Sequence, residues 1–296
     1  MASRKVMVTI APTGGMAKKS QNPNLPTQPE EIAESIFNCW KAGASIAAIH
    51  ARRPDDEATC NAEIYARINT LVGERCNIVT NNSTGGGIDG DMIVERPDGM
   101  WESVFEERLK GLDAGAEMAT FDGFTAVGMF GDRELLGPTT PAQCDRLAAR
   151  FKERGIKPEW EVFNPAHILQ DMSRLIAGGF DKPPYYVNIV LGGERGFQGA
   201  MPYSTEILTQ MVNLLPPQAI WCVTAIGSAQ LPATTQALLL GGHVRVGLED
   251  NLMYFKGVPA TNEMLVERQV RIMTELGMEP ATSGEAREML GLPPRN

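Results

Sequence analysis

Short runs rich in β-branched residues alternate with longer amphipathic stretches eight times along this chain. The strand-like runs are Val6–Pro12, Ser45–Arg52, Asn77–Thr84, Glu117–Phe124, Pro158–Asn164, Tyr185–Gly192, Ala219–Gly227 and His243–Asp250. The stretches between them carry apolar residues three and four apart, the period of a helix with one buried face. They predict helices at Pro29–Ala42, Ala62–Gly73, Trp101–Ala114, Pro141–Arg154, Ile168–Gly178, Thr205–Leu214, Leu231–Leu240 and Thr261–Leu276. In the first, proline at the opening position loses no needed N–H, and Glu30 and Glu31 complement the helix dipole. A short extra helix is expected at Ser283–Leu290. Eight βα units without a low-complexity linker predict one closed (β/α)8 TIM barrel spanning residues 1–296. A doubly wound open sheet fits less well, because no Gly-x-Gly-x-x-Gly follows the first strand.

Composition narrows the function classes. With 43% hydrophobic and 21% charged residues, the chain can bury a large core. A net charge of −9 opposes nucleic acid as a partner, since phosphate contacts need clustered Lys and Arg. No run nears 18 apolar residues, so no membrane span is expected, and the Met1 to Lys5 segment does not read as a signal peptide. The five cysteines are scattered and form no C-x-x-C pair, as expected of reduced thiols in a cytoplasmic protein.

In a barrel of this kind, chemistry occupies the C-terminal ends of strands and the loops that follow. Thr13, His50, Arg52, Asn82, Ser83, Thr120, Asp122, Glu161, Asn188, Arg245, Glu249 and Asp250 all meet that test. On the eighth strand, period-two alternation puts Arg245, Gly247 and Glu249 on one face, pointing into the mouth, with Asp250 at the rim. An Arg beside two adjacent acids suits acid–base work on an anionic substrate, although a buried structural ion pair has the same composition. His50 ends the second strand, His167 follows the fifth, and His243 begins the eighth on the opposite, structural side. Gly85, Gly86 and Gly87 follow Ser83 and Thr84, so exposed N–H groups there can hold a carboxylate or phosphate. Gly192, Gly193 and Gly196 make a similar loop after the sixth strand. Glu159 and Glu161 share one face of the fifth strand, where a buried acid must be paired or functional.

These residues resemble the β-keto acid cleavage enzyme family, whose characterised example acts on 3-keto-5-aminohexanoate. The resemblance runs along essentially the whole chain. It rests on Asn24-Leu25-Pro26 with Pro29-Glu30-Glu31, Gly43-Ala44, Ser83-Thr84-Gly85-Gly86, Glu117-Met118-Ala119-Thr120, and Pro158-Glu159-x-Glu161-Val162. The most specific match is Gly241-Gly242-His243-Val244-Arg245-Val246-Gly247-x-Glu249-Asp250-Asn251.

The resemblance implies an exchange in which a β-keto acid and acetyl-CoA give acetoacetate and a new acyl-CoA. It assigns Asp250 as the base, with Ser83 and Arg245 orienting it, and it also places Glu161 among the catalytic groups. Thr120, Gly85, Gly86, Arg52 and Met16 would face the substrate. It further implies zinc or another divalent metal, held by two histidines of a His-x-His-x-Arg strand end and the glutamate matching Glu249. This chain reads Ala48-Ile49-His50-Ala51-Arg52, so Ala48 stands where one ligand would be, leaving His50, Glu249 and, at a longer reach, His167. Met16 replaces a glutamate that supports the base, which implies a changed substrate preference. A homo-oligomer, tetramer or dimer, is implied as well. Two other readings stand beside this one: a CoA- and zinc-independent C–C lyase or hydrolase on the same scaffold, and a barrel that only binds its ligand.

Overall fold

A computed structural model describes residues 3–295, so the first two residues of the segment read above as no signal peptide lie outside it. Eight parallel strands close into a barrel: β1 (Val8–Ile10), β2 (Ile46–Ile49), β3 (Val79–Asn82), β4 (Met118–Phe121), β5 (Lys157–Val162), β6 (Tyr185–Leu191), β7 (Ala219–Ala225) and β8 (His243–Val246). Each pairs with its sequence neighbours, and β8 closes on β1 with Arg245 opposite Thr9. Every one lies inside a run expected from the hydrophobic pattern except β5, which begins one residue earlier, at Lys157. The ends are shorter because the pattern continues into loops after the ladder has stopped.

Helices pack around the barrel at Pro29–Lys41, Ala62–Gly73, Pro141–Arg154, Thr205–Asn213, Gln230–Leu239 and Asn262–Glu275. Local chemistry explains their ends. Thr140 accepts the N–H of Gln143 while the Gln143 side chain returns to the Thr140 N–H, and Gly155 stops that helix at φ 65°. The fifth βα unit departs from expectation: Pro165–His167, a π turn at Ile168–Met172 and Ser173–Ala177 replace one regular helix.

The barrel floor is apolar and plugged. Met7, Ile46, Val79, Met118, Tyr186 and Cys222 pack together with Ala286 and Leu290 of the extra helix Ser283–Leu290. Arg287 of that helix is buried and holds Glu117 at 2.6 and 2.8 Å. His243 accepts the Met7 N–H at 2.9 Å on this side, the structural place expected for it. Burial lowers its pKa to about 4.

The third unit carries an unexpected excursion. Trp101–Ser103 is a strand, not the start of a helix; only Phe105–Lys110 is α-helical, followed by a 3-10 turn at Gly111–Ala114. That strand joins Ile93–Glu95, Arg133–Gly137 and Ala126–Phe130 in a four-stranded sheet outside the barrel. A bridge between Gly128 and Phe197 ties this sheet to the loop after β6. The sheet therefore stands beside the mouth, where the strands deliver their polar ends.

Candidate active site

The turn after β8 sets the geometry. Gly247 has φ +151°, and a Cβ there would sit 2.0 Å from the Ala11 carbonyl oxygen, so only glycine fits. The strand alternation ends at Val246, and Asp250 and Asn251 donate their N–H groups back to the Gly247 carbonyl. Both acids consequently return to the barrel. Asp250 is not at the rim: its side chain is 2% exposed, against 17% for Glu249.

One guanidinium gathers three carboxylates. Arg245 grips Asp250 through Nε and Nη2, each at 3.1 Å, a bidentate pair. Its Nη2 also donates to Glu249 at 2.6 Å, and its Nη1 to Glu161 at 3.3 Å. Asn188, itself held by Thr224, donates to the same Glu161 oxygen. His50 donates from Nδ1 to the Gly86 carbonyl at 2.8 Å, which can only accept, and so presents Nε2 to Glu249 at 3.2 Å.

One cation cannot keep three acids equally ionised. Burial pushes Glu161 well above the usual carboxylate range, with the nearby Asp122 charge adding to it. Burial also raises Asp250, to about 6, where Arg245 pulls down and Glu249 pushes up. Glu249 is buried too, yet Arg245 and His50 hold it down to about 2. The site therefore pairs a firmly ionised acid with one whose proton affinity suits a base near neutral pH.

These groups line a cavity of about 220 Å³ together with Met16, Ser83, Gly85, Gly86, Asp122, Arg108 and Phe163. Gly15 and Gly86 let two backbone loops meet at its edge; a Cβ on Gly15 would lie 2.0 Å from the Gly86 oxygen. Among the described residues no protein acceptor takes the Gly86 or Gly87 N–H, and Ser83 Oγ takes that of Gly85 at 3.1 Å. Backbone donors without a protein acceptor, in a glycine turn that lines a cavity, suit a carboxylate.

Other expected site residues lie elsewhere. Arg52 is buried, donating to the carbonyls of Thr13, Gly14, Ala17 and Asp56, so it shapes the loop carrying Met16 instead of facing the cavity. Thr120 is exchanged into two hydrogen bonds with Thr84 and steadies the glycine turn from behind. Asn82 donates to Gly111 on the outer side of its strand. Glu159 is fully buried one layer down, bonded to Asn81 and not to Arg245. His167 stacks on Phe124 at 4.1 Å, with Nδ1 taking the Phe163 N–H and Nε2 beside Asn164, and burial lowers its pKa to about 4. It is not a metal ligand in this arrangement.

The sequence reading missed Arg108, Ser103, Leu135, Val190 and Ile226, which also line the cavity. Ser103 and Leu135 arrive on the excursion sheet and Arg108 on the short helix behind it, where no local signal marked them, whereas Val190 and Ile226 sit at the ends of expected strands but are apolar.

The donors in the cavity fall short of a three-ligand metal site. Ala48 lies on β2 between Ile46 and His50, opposite Asn81, and offers only a methyl group. That leaves His50 and Glu249, whose Oε2 is buried without a partner. Among the described residues no three His, Cys, Asp or Glu side chains converge as a metal-holding group. These residues do not fit a catalytic zinc with three protein ligands.

Comparisons with known proteins give the lineage. Residues 5–292 match the model of the beta-keto acid cleavage enzyme family. A 3-keto-5-aminohexanoate cleavage enzyme from Acetoanaerobium sticklandii is 34% identical, over 97% of this chain and 98% of its own. A 3-dehydrocarnitine:acetyl-CoA trimethylamine transferase from Rhizobium meliloti is 31% identical, over 99% and 98% respectively. Among solved structures, the ternary complex of ObcA with a C4-CoA adduct and oxalate has a TM-score of 0.70 at 21% identity, covering 91% of this chain and 68% of that one. That likeness shows the same fold.

Proposed function

The chain belongs to the β-keto acid cleavage enzyme family, and from that premise we propose that it exchanges acyl groups between a β-keto acid and acetyl-CoA, giving acetoacetate and a new acyl-CoA. The observation that carries this is the Asp250 carboxylate, held bidentately by Arg245 in a cavity beside His50 and Glu249. Asp250 takes a proton from the carbon between the two carbonyls of the keto acid. Arg245 and His50 face the negative charge that develops, while the Gly86 and Gly87 N–H groups and Ser83 hold the substrate carboxylate. The carbanion attacks the acetyl thioester and expels CoA thiolate. The thiolate then adds to the original keto carbon and breaks the bond to the former methylene. The leaving carbanion recovers its proton from Asp250 and departs as acetoacetate.

Each step of this sequence uses the chain's own residues. The poor fit to zinc has a direct check. Purified protein is expected to hold zinc well below one per chain by elemental analysis, and Ala48→His to raise it toward one. Stoichiometric zinc in the unmodified protein would overturn the conclusion that Ala48 leaves no fitting zinc site, not the exchange itself. A CoA-independent lyase or hydrolase has no observation in its favour.

The pH profile is a second check. Because burial sets Asp250 near 6 in the free enzyme, kcat/KM is expected to rise with pH through about 6 as the base loses its proton, then level off. A flat profile between about pH 5 and 8 would count against Asp250 as the base.

No helix among the described residues is long and apolar enough to cross a membrane. Association of identical chains belongs to the same reading; exposed Met253, Phe255 and Val258 on one hairpin offer apolar surface for it.

A further inference from the structure

Resting on the exchange proposed above, we infer that the acyl part of the β-keto acid is an uncharged apolar group, alkyl or aryl. The cavity has two unlike ends. One holds His50, Ser83, Arg245, Glu249 and Asp250 and, in the proposed exchange, receives the reacting carbonyls and carboxylate. Most of the remaining side-chain wall is apolar, with Phe124, Phe163, Phe197, Leu135, Val190 and Ile226 outnumbering the hydroxyls of Ser103 and Thr139. Its aromatic rings form a continuous surface, with Phe124 and Phe163 centroids 4.8 Å apart and Phe163 and Phe197 6.0 Å apart.

Two charged groups also reach this part of the cavity, and each is spoken for. Arg108 is 4% exposed and donates to the Thr84 carbonyl at 2.9 Å, to Thr139 at 2.6 Å and to the Asp122 carbonyl at 3.3 Å. Its Nη2 lies 3.8 Å from the Asp122 carboxylate. Glu161, which stands nearby, is itself paired with Arg245 at 3.3 Å. Arg108 and Asp122 therefore offset each other, and the pair leaves no net countercharge for a substrate. A substrate ammonium or second carboxylate placed against the phenyl rings would lose its water and gain no partner. Met16, half exposed at the rim, adds a thioether where a charged side chain could have met such a group. Apolar surface, by contrast, is stabilised by burial against the rings.

The test compares four β-keto acids with the full-length enzyme and acetyl-CoA: 3-oxohexanoate, benzoylacetate, 5-amino-3-oxohexanoate and 3-oxoadipate. The better of the two neutral acids is expected to exceed both charged ones in kcat/KM by at least about tenfold. Equal or higher kcat/KM for the amino acid or the diacid would overturn the inference. Calorimetric binding of the same four acids to the resting enzyme separates this from the exchange itself. If none is turned over but the neutral acids bind more tightly, the exchange fails and the apolar pocket stands. If a charged acid binds more tightly, the pocket assignment fails whether or not turnover is seen.

Discussion

Asp250→Asn lowers kcat for acetoacetate formation by about 10²–10⁴-fold, the usual worth of a positioned general base. The amide has the same shape as the carboxylate and can still accept from Arg245, but it cannot take the substrate proton. Folding is expected to survive, because Arg245 keeps Glu249 at 2.6 Å as its counterion. KM for the keto acid should change little, since the carboxylate of the substrate is held by the glycine turn. A variant within about threefold of the unmodified kcat would remove Asp250 from the chemistry.

Arg245→Met has the larger effect on the whole protein. Its side chain is 5% exposed and is shared by Asp250, Glu249 and Glu161. Removing one partner of a buried ion pair costs about 3–5 kcal/mol, because the acids left behind are out of water and uncompensated. Turnover is lost as well, since nothing then aims Asp250 and only His50 is left to face the developing carbanion charge. The pH dependence identifies the cause. In the unmodified protein Glu249 has a folded pKa near 2, below its unfolded value, so its stabilisation is present above the unfolded value and fades only as pH falls through about 2. Asp250, raised to about 6, has the opposite sign and loses stability as pH rises through that value. Without Arg245 both acids have raised folded values, so the variant's deficit should grow from about pH 5 to pH 8. Thermal unfolding across that range checks it, and a deficit that shrinks as pH rises would refute it. Arg245→Lys should recover part of the stability but not the bidentate hold on Asp250.

Much of the molecule was legible because the barrel repeats one local pattern. Every barrel strand falls within one residue of its run of β-branched residues, and Pro141–Arg154 begins and ends where its capping residues say it should. Candidate residues at strand ends were legible for the same reason: His50, Ser83, Glu161, Arg245, Glu249 and Asp250 do meet in one cavity. The failures have a common cause, which is that pairing partners lay far away in sequence. Trp101–Ser103 reads as helix by period but pairs with Ile93–Glu95 and with Leu135 and Leu136. Arg52 looks like a ligand contact by its strand-end position and by the resemblance, yet four carbonyls of the flanking loops claim it. The depth of Asp250 was misjudged because alternation was carried past Gly247, where the positive φ ends it.

The most direct measurement follows the acetyl carbons. With acetyl-CoA labelled with carbon-13 in both acetyl carbons and an unlabelled neutral β-keto acid, carbons 3 and 4 of acetoacetate should carry the label, and the new acyl-CoA should be unlabelled and hold the keto acid's own acyl chain. Cleavage that proceeds without acetyl-CoA, or label recovered only in acetate, would contradict an acyl exchange at Asp250.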